Sequence, residues 1–242
     1  MIPKKIYYVW FGRNELPEDI KKNIESWKKY NPSFEIIQIN EDNFDIKKYN
    51  FVQEAYKEKY WAFASDVARL DVIYNNGGFY FDTDVEMLKP LDNLTKEKSV
   101  WGLETINSVN SGLIIGAEKG DADLKNLLDI YSKKHFDVNK KDQVITTQII
   151  GKYFVKQGLR PYNKTQILKD GTKIFASEYF APLHWWGGGR VTTNTIAIQQ
   201  YTKSWGEKTD TPFRQKMRMN LFHYAYPLFK RLKMLKRRVN NG

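Results

Sequence analysis

A chain of 242 residues, 41% hydrophobic and 15% aromatic, is long enough to bury one large core, and without cysteine it has neither a disulfide framework nor a cysteine-ligated zinc site. The net charge of +11 raises nucleic acid, anionic membrane or a phosphorylated substrate as partners. Nine Lys and Arg residues and no Asp or Glu fall in residues 211–242, however, which leaves the body at +2. The division implied is one catalytic domain, 1–210, followed by a basic amphipathic segment, 211–242.

Met1 to Lys5 leads at once into the apolar run Ile6 to Trp10. That run is too short, and too soon broken by Gly12, for a signal peptide or membrane span, so export is not expected. It reads as a buried strand with Trp10 and Phe11 at its carboxyl end. Glu18 to Tyr30 carries Ile20, Ile24 and Trp27 at helical spacing, with acids at its start, lysines at its end and Pro32 beyond. Phe34 to Ile39 is a second β-rich run, giving the strand–helix–strand opening of a parallel α/β unit. Residues 41–60 suggest short helices. From Trp61 to Tyr74 apolar residues cover most of a helix circumference, so that helix is expected to be buried on more than one side. Gly77-Gly78 ends it, Phe79-Tyr80-Phe81 is a short buried strand, and Asp82-Thr83-Asp84 follows at its carboxyl end, where open α/β sheets bind ligands. A strand at Ser111 to Ile115, helices at Ala122 to Tyr131 and Val144 to Val155, and β-like runs near Ile174 and Ile196 complete the pattern.

Two carboxylates spaced i, i+2 at a strand end can turn their oxygens toward one hard cation, which Mg²⁺ or Mn²⁺ prefers, or can sit in an ordinary solvated turn. Asp66 and Arg69, three apart in an almost wholly apolar helix, share a face. They suit a structural salt bridge, recognition of a sugar and its phosphates, or both at once. Three histidines, His135, His184 and His223, lie far apart without zinc spacing, and no serine occupies a Gly-x-Ser-x-Gly elbow, so hydrolase chemistry finds no support.

The residues Ile2 to Gly12, Trp61 to Leu70 and Gly77 to Val85 together resemble the family 32 glycosyltransferases with the DXD sugar-binding region. That group includes bacterial capsule and lipopolysaccharide enzymes; the glucosylating domains of large clostridial toxins are more distantly similar. The resemblance is collinear over roughly residues 2–116 and weaker to about residue 206, and three linked motifs are far more specific than one. It implies a GT-A type, Rossmann-like mixed sheet flanked by helices, and a UDP-sugar donor. It also implies Mn²⁺ or Mg²⁺, and transfer of a hexose, galactose or glucose, with retention of configuration. By motif, Trp10, Phe11 and Gly12 would line the base pocket, although Trp and Phe are as often ordinary core. Asp66, Arg69 and Tyr80 would contact the donor sugar. Asn110 matches an asparagine near the sugar, or is a turn residue before a strand. Asp82 and Asp84 would hold the metal on the diphosphate. Asp66, Arg69 and Asn110 are the candidate catalytic residues.

Near the end, bacterial relatives often read His-His-Tyr where this chain reads Gln199-Gln200-Tyr201. A histidine expected near the metal is therefore replaced, with Gln200 as the candidate ligand in its place. Ser204 and Trp205 are candidates for a loop closing over the diphosphate. Trp185-Trp186-Gly187-Gly188-Gly189 offers a ring pair that could face an acceptor sugar. The segment 211–242 interleaves basic and apolar residues, as in helices that lie on anionic membranes. It accompanies no recognised nucleic-acid module, and nucleic acid is not expected as a partner. The expectation is a retaining, metal-dependent transferase acting on an oligosaccharide or lipid-linked acceptor in surface polysaccharide synthesis. It would be cytoplasmic and peripheral at the inner face of the cell membrane. The alternative is a noncatalytic protein that binds sugar nucleotides or glycans on the same fold.

Overall fold

The computed structural model describes residues 1–184 and 188–201. The expectations that fall on Trp185 to Gly187, on Ser204 and Trp205, and on the basic segment 211–242 lie outside the described residues.

The chain opens with β1 (Lys5–Val9), α1 (Glu18–Tyr30) and β2 (Glu35–Ile39), then α2 (Asn50–Lys57), α3 (Trp61–Asn76), β3 (Gly78–Tyr80) and β4 (Val85–Met87). It continues through β5 (Ser99–Thr105), β6 (Ser108–Val109), β7 (Ile115–Ala117), α4 (Ala122–Tyr131), α5 (Thr146–Lys156), β8 (Gln166–Ile167), β9 (Thr172–Phe175), α6 (Ser177–Phe180) and β10 (Ala197–Gln199). The main sheet has the order β2-β1-β3-β7-β5-β9-β8, with β6 paired to β5. β2, β1 and β3 are mutually parallel, β7 runs antiparallel to both β3 and β5, and β9 is parallel to β5. A small antiparallel sheet pairs β4 with β10. The mixed sheet flanked by helices is the α/β fold class expected from the sequence.

Two apolar layers hold the sheet. On one face Tyr7, Tyr80, Trp101 and Leu103 pack against α2 to α5; on the other Phe79, Phe81 and Val100 pack against α1 and the small sheet. Period-two alternation along β3 and β5 assigns successive side chains to these opposite layers. α3 is buried nearly throughout, as its continuous apolar character requires.

α1 does more than cover the sheet. Ile20, Ile24 and Trp27 form its buried stripe. From the same side Asn23 Nδ2 donates to the Thr83 carbonyl (2.9 Å), Trp27 Nε1 donates to the Val85 carbonyl (2.8 Å), and Met87 N donates to Ser26 Oγ (2.9 Å). These bonds satisfy the backbone of a segment that leaves the main sheet. They fix Asp82-Thr83-Asp84 between the two sheets.

The strand expected at Ser111 to Ile115 is displaced: β7 begins only at Ile115, and residues 110–113 form a turn. Asn110 Oδ1 accepts from Gly112 N (2.7 Å), a local side-chain bond that competes with strand pairing. β5, a central strand, carried no clear sequence signal, because Ser99-Val-Trp-Gly-Leu is buried on both faces and shows no alternation.

Candidate active site

The carboxyl ends of β1, β2 and β3 share one edge of the sheet because the three strands are parallel. α3 ends where β3 begins, with Gly77 N donating to the Ile73 carbonyl (2.8 Å), so its amino-terminal half returns to that carboxyl edge. β7, antiparallel to β3, starts there, and β5, antiparallel to β7, ends there. Six elements therefore present an end at the edge that carries Asp82.

Arg69 is the hub. Its side chain is 5% exposed, and Nη2 lies 3.1 Å from Asp82 Oδ1 and 3.2 Å from Asp66 Oδ1. Nε donates to the Ser65 carbonyl (3.1 Å), Nη2 to Ser65 Oγ (2.9 Å) and Nη1 to Ser111 Oγ (3.3 Å). The guanidinium also lies over the Tyr80 ring, 5.0 Å from its centre, while the Tyr80 hydroxyl donates to Asp82 Oδ1 (2.8 Å). A buried cation would be costly alone; here its donors are met by two carboxylates and two serines. Burial opposes its charge, but Asp82, Tyr80 and Asp66 outweigh that and hold the guanidinium protonated above its ordinary range.

The three acids differ. Burial pushes Asp66 up to about 6 against the pull of Arg69 and the Thr146 hydroxyl. Burial, then the neighbouring Asp82 charge, pushes Asp84 up to about 7. Asp82 is the partner Arg69 neutralises, whereas Asp84 meets no cation among the described residues. Its one side-chain partner there is neutral: Gln199 Nε2 donates to Asp84 Oδ1 (2.9 Å).

Gln200, expected as the metal ligand, is not at the carboxylate. Side chains alternate along β10, so Gln200 Nε2 reaches Glu86 Oε2 (3.0 Å) and only its backbone N–H meets the Asp84 carbonyl (2.9 Å). Gln199, 6% exposed and with its Oε1 unpartnered, occupies the inward position. Among the described residues no three His, Cys, Asp or Glu side chains converge as a metal cage. The donors present are the Asp82 and Asp84 carboxylates and the Gln199 amide, hard oxygen groups that fit an ion keeping its waters and sharing a substrate's phosphates.

At the other end of the edge, Gly12 N donates to Glu41 Oε1 (2.6 Å), and Gly12 has a φ of 97°. A side chain there would also meet the Trp61 indole at 3.0 Å. Trp10 is half-buried, its Nε1 bonded to the Asn14 carbonyl (2.7 Å). Phe11 is core, packed on Phe44 and Tyr56, so it forms the floor of this end and has no free face for a base.

Residues 17–101 match the family model described as "Glycosyltransferase sugar-binding region containing DXD motif". That match spans about a third of the chain. Among solved structures, the chain is similar to the "PaToxG Glycosyltransferase" at 17% identity, over 65% of this chain and 69% of that one, TM-score 0.49. It is also similar to a glycosyltransferase involved in the glycosylation of the major capsid of PBCV-1, at 8% identity, 90% and 98% coverage, TM-score 0.43. No curated protein matches it. The matched region contains Asp66, Arg69, Tyr80, Asp82 and Asp84, and stops before Asn110 and Gln199.

Sequence reasoning missed Ser65, Ser111, Gly112, Glu104 and the inward role of Gln199. Ser65 was within reach, since it lies four residues before Arg69 on the same helix face. The others arrive through antiparallel strands that no local pattern connects to Asp82.

Proposed function

We propose that this protein is a metal-dependent, retaining glycosyltransferase that moves a hexose from a UDP-sugar to a glycan or lipid-linked acceptor. The observation that carries the reading is Arg69, buried between Asp66 and Asp82, beside an Asp84 that forms no ion pair among the described residues. Two carboxylates share one guanidinium and a third, Asp84, lies beside them, an arrangement short of positive charge that a divalent cation would complete.

Asp82 and Asp84 would hold Mn²⁺ or Mg²⁺, with Gln199 the nearer amide. Bound there, the ion supplies neutralisation of charge on the departing diphosphate. Asp66 accepts from donor-sugar hydroxyls, while Arg69 orients Asp66 and Asp82 and donates toward sugar or phosphate oxygens. The fixed Asp82 turn, held by Asn23 and Trp27, keeps these groups preorganised. The acceptor hydroxyl attacks from the face the diphosphate leaves, its proton passing to a leaving-phosphate oxygen, so no enzymatic nucleophile is needed. The basic segment 211–242 would carry the enzyme to the anionic cytoplasmic face of the cell membrane, where lipid-linked acceptors of surface polysaccharide assembly lie.

The test is UDP release from a panel of UDP-hexoses with Mn²⁺. Wild-type protein turns over at least one donor, and chelation or Asp84→Asn stops it. Undiminished turnover in Asp84→Asn, or in excess chelator, refutes the reading; donor binding without turnover favours the noncatalytic alternative.

A further inference from the structure

The carboxyl edge of the sheet holds a fourth acid that donor binding leaves without a task. Glu104 lies near the end of β5, two strands beyond β3 in the order β3-β7-β5. At about 4.8 Å between strands this is roughly 10 Å past the strand that leads to Asp82. That is on the order of one hexose ring plus the hydroxyl attacking it. The pairing of β5 with β6 shifts register between Leu103 and Thr105, so Glu104 sits at an irregularity of the kind that re-aims a side chain at a sheet edge. Tyr201, two residues past β10, brings its phenol beside it.

The surroundings of Glu104 are unlike those of a structural carboxylate. Asp71, which is one, is saturated by Lys48 Nζ (2.8 and 2.9 Å), the Tyr49 hydroxyl (2.7 Å) and Asn75 Nδ2 (2.9 Å). Among the described residues Glu104 has one long contact, from Asn110 Nδ2 at 3.5 Å, and the groups acting on it, Asn110, Tyr201 and Ser108, are all neutral. A carboxylate has about four acceptor positions, so the half-buried Glu104 keeps acceptor positions that no described residue fills. Asn110 links the two halves of the site: its Oδ1 holds Gly112, which packs on Asp82, while its Nδ2 faces Glu104.

We propose that Glu104 binds the acceptor, accepting a hydrogen bond from a hydroxyl of a terminal sugar so that the neighbouring hydroxyl meets the donor's anomeric carbon. This rests on the transferase reading. In the step the acceptor oxygen–carbon bond forms and the bond from carbon to the β-phosphate oxygen breaks. The hydroxyl proton leaves on the diphosphate, and Glu104 ends as it began, with no covalent bond to sugar.

The experiment compares wild type with Glu104→Gln and Glu104→Ala, using Mn²⁺, the UDP-hexose that wild type hydrolyses, and octyl hexosides as acceptor probes. Loss of a hydrogen bond to a charged group corresponds to about 10–100-fold. Transfer to the octyl hexoside is expected to fall by that factor, chiefly in acceptor KM. UDP release without acceptor falls much less, so the ratio of transfer to hydrolysis drops about tenfold or more while UDP affinity by calorimetry changes little. Parallel loss of transfer and hydrolysis, an unchanged ratio, a sugar adduct on Glu104 by mass spectrometry, or octyl hexosides that no form of the protein uses would each overturn the proposal. Wild-type protein that releases no UDP from any donor instead overturns the transferase reading itself.

Discussion

Gly112 is where the turn after β6 presses on the Asp82-Thr83-Asp84 segment. Its carbonyl accepts from Asp82 N (2.8 Å), and a methyl in place of its α-hydrogen would fall 1.9 Å from Asp82 Oδ2, 2.7 Å from Cγ and 3.2 Å from Arg69 Nη1. Ordinary contact begins at about 3.5 Å, so in Gly112→Ala the carboxylate retreats by roughly 1.5 Å. The bonds from Arg69 (3.1 Å) and the Tyr80 hydroxyl (2.8 Å) do not survive that displacement. The Asp82 side chain is 31% exposed and can swing into water, and Arg69 keeps Asp66 and Ser65. The fold therefore loses only about 1–2 kcal/mol, a few degrees in Tm for a chain of this size. Function loses more: misplacing one carboxylate that meets metal and diphosphate costs about 1.5–3 kcal/mol, or about 10–150-fold in UDP–Mn²⁺ affinity. Calorimetry with UDP and Mn²⁺, with thermal melting alongside, measures both. Gly102→Ala is the control, since its added carbon meets Ile114 and Leu113 at 3.4 Å. Gly112→Ala with affinity within twofold of wild type would refute the claim that this turn holds Asp82 in place.

Gln199→Ala is expected to weaken Mn²⁺ binding about tenfold, the effect of one hydrogen bond to a charged group, while Gln200→Ala changes it less than twofold; titration of Mn²⁺ by electron paramagnetic resonance separates them. Because Asp84 is pushed up to about 7, the metal must displace its proton below that pH. Mn²⁺ affinity should be flat above about pH 7 and fall about tenfold per unit below it, with proton release seen as buffer-dependent binding enthalpy, and Asp84→Asn should abolish the slope. The same shift sets metal-free stability. A raised acid favours the folded state below the unfolded carboxylate range and loses that contribution as pH rises toward 7, so metal-free Asp84→Asn should gain Tm over wild type at pH 8 and not at pH 4. Asp71→Ala leaves Lys48, Tyr49 and Asn75 without their shared acceptor and should cost about 2–4 kcal/mol, read as a lower denaturant midpoint with no change in UDP affinity per folded molecule.

The helices were legible because their cues are local. Pro17, the acids and lysines flanking Ile20, Ile24 and Trp27, and the glycines after Asn76 mark boundaries that the structure keeps at Glu18–Tyr30 and within two residues for α3. Asp66, Arg69 and Asp82 were legible for a related reason: one helix, one turn and one strand join them in sequence, and that hairpin-like path returns Arg69 to Asp82. The placement of Gln199 and Glu104 was not legible. Each reaches the site across a strand that pairs far from its own position, Gln199 opposite Val85 and β5 opposite β7. Which of two adjacent glutamines faces inward depends on a register that changes by one residue and inverts the answer. Phe11 stayed open in the sequence because an aromatic at a strand end suits both a base pocket and the core, and the contacts with Phe44 and Tyr56 favour the core.

The change of strand direction at β3 divides the site in a way that bears on specificity. β2, β1 and β3 are parallel, and their carboxyl ends carry the Gly12 turn and Asp82, the part that can serve a nucleotide and its phosphates. Beyond β3 the sheet turns antiparallel, and β7 and β5 deliver Ser111, Asn110 and Glu104 from short loops. The family match ends at residue 101, before that second half. A loop between antiparallel strands can change length or sequence without disturbing the parallel strands or the α1 bonds that fix Asp82. Substitutions that alter acceptor choice should therefore concentrate at residues 104–111 and leave UDP affinity intact, whereas changes in α1 that loosen Asn23 or Trp27 should weaken UDP and metal together.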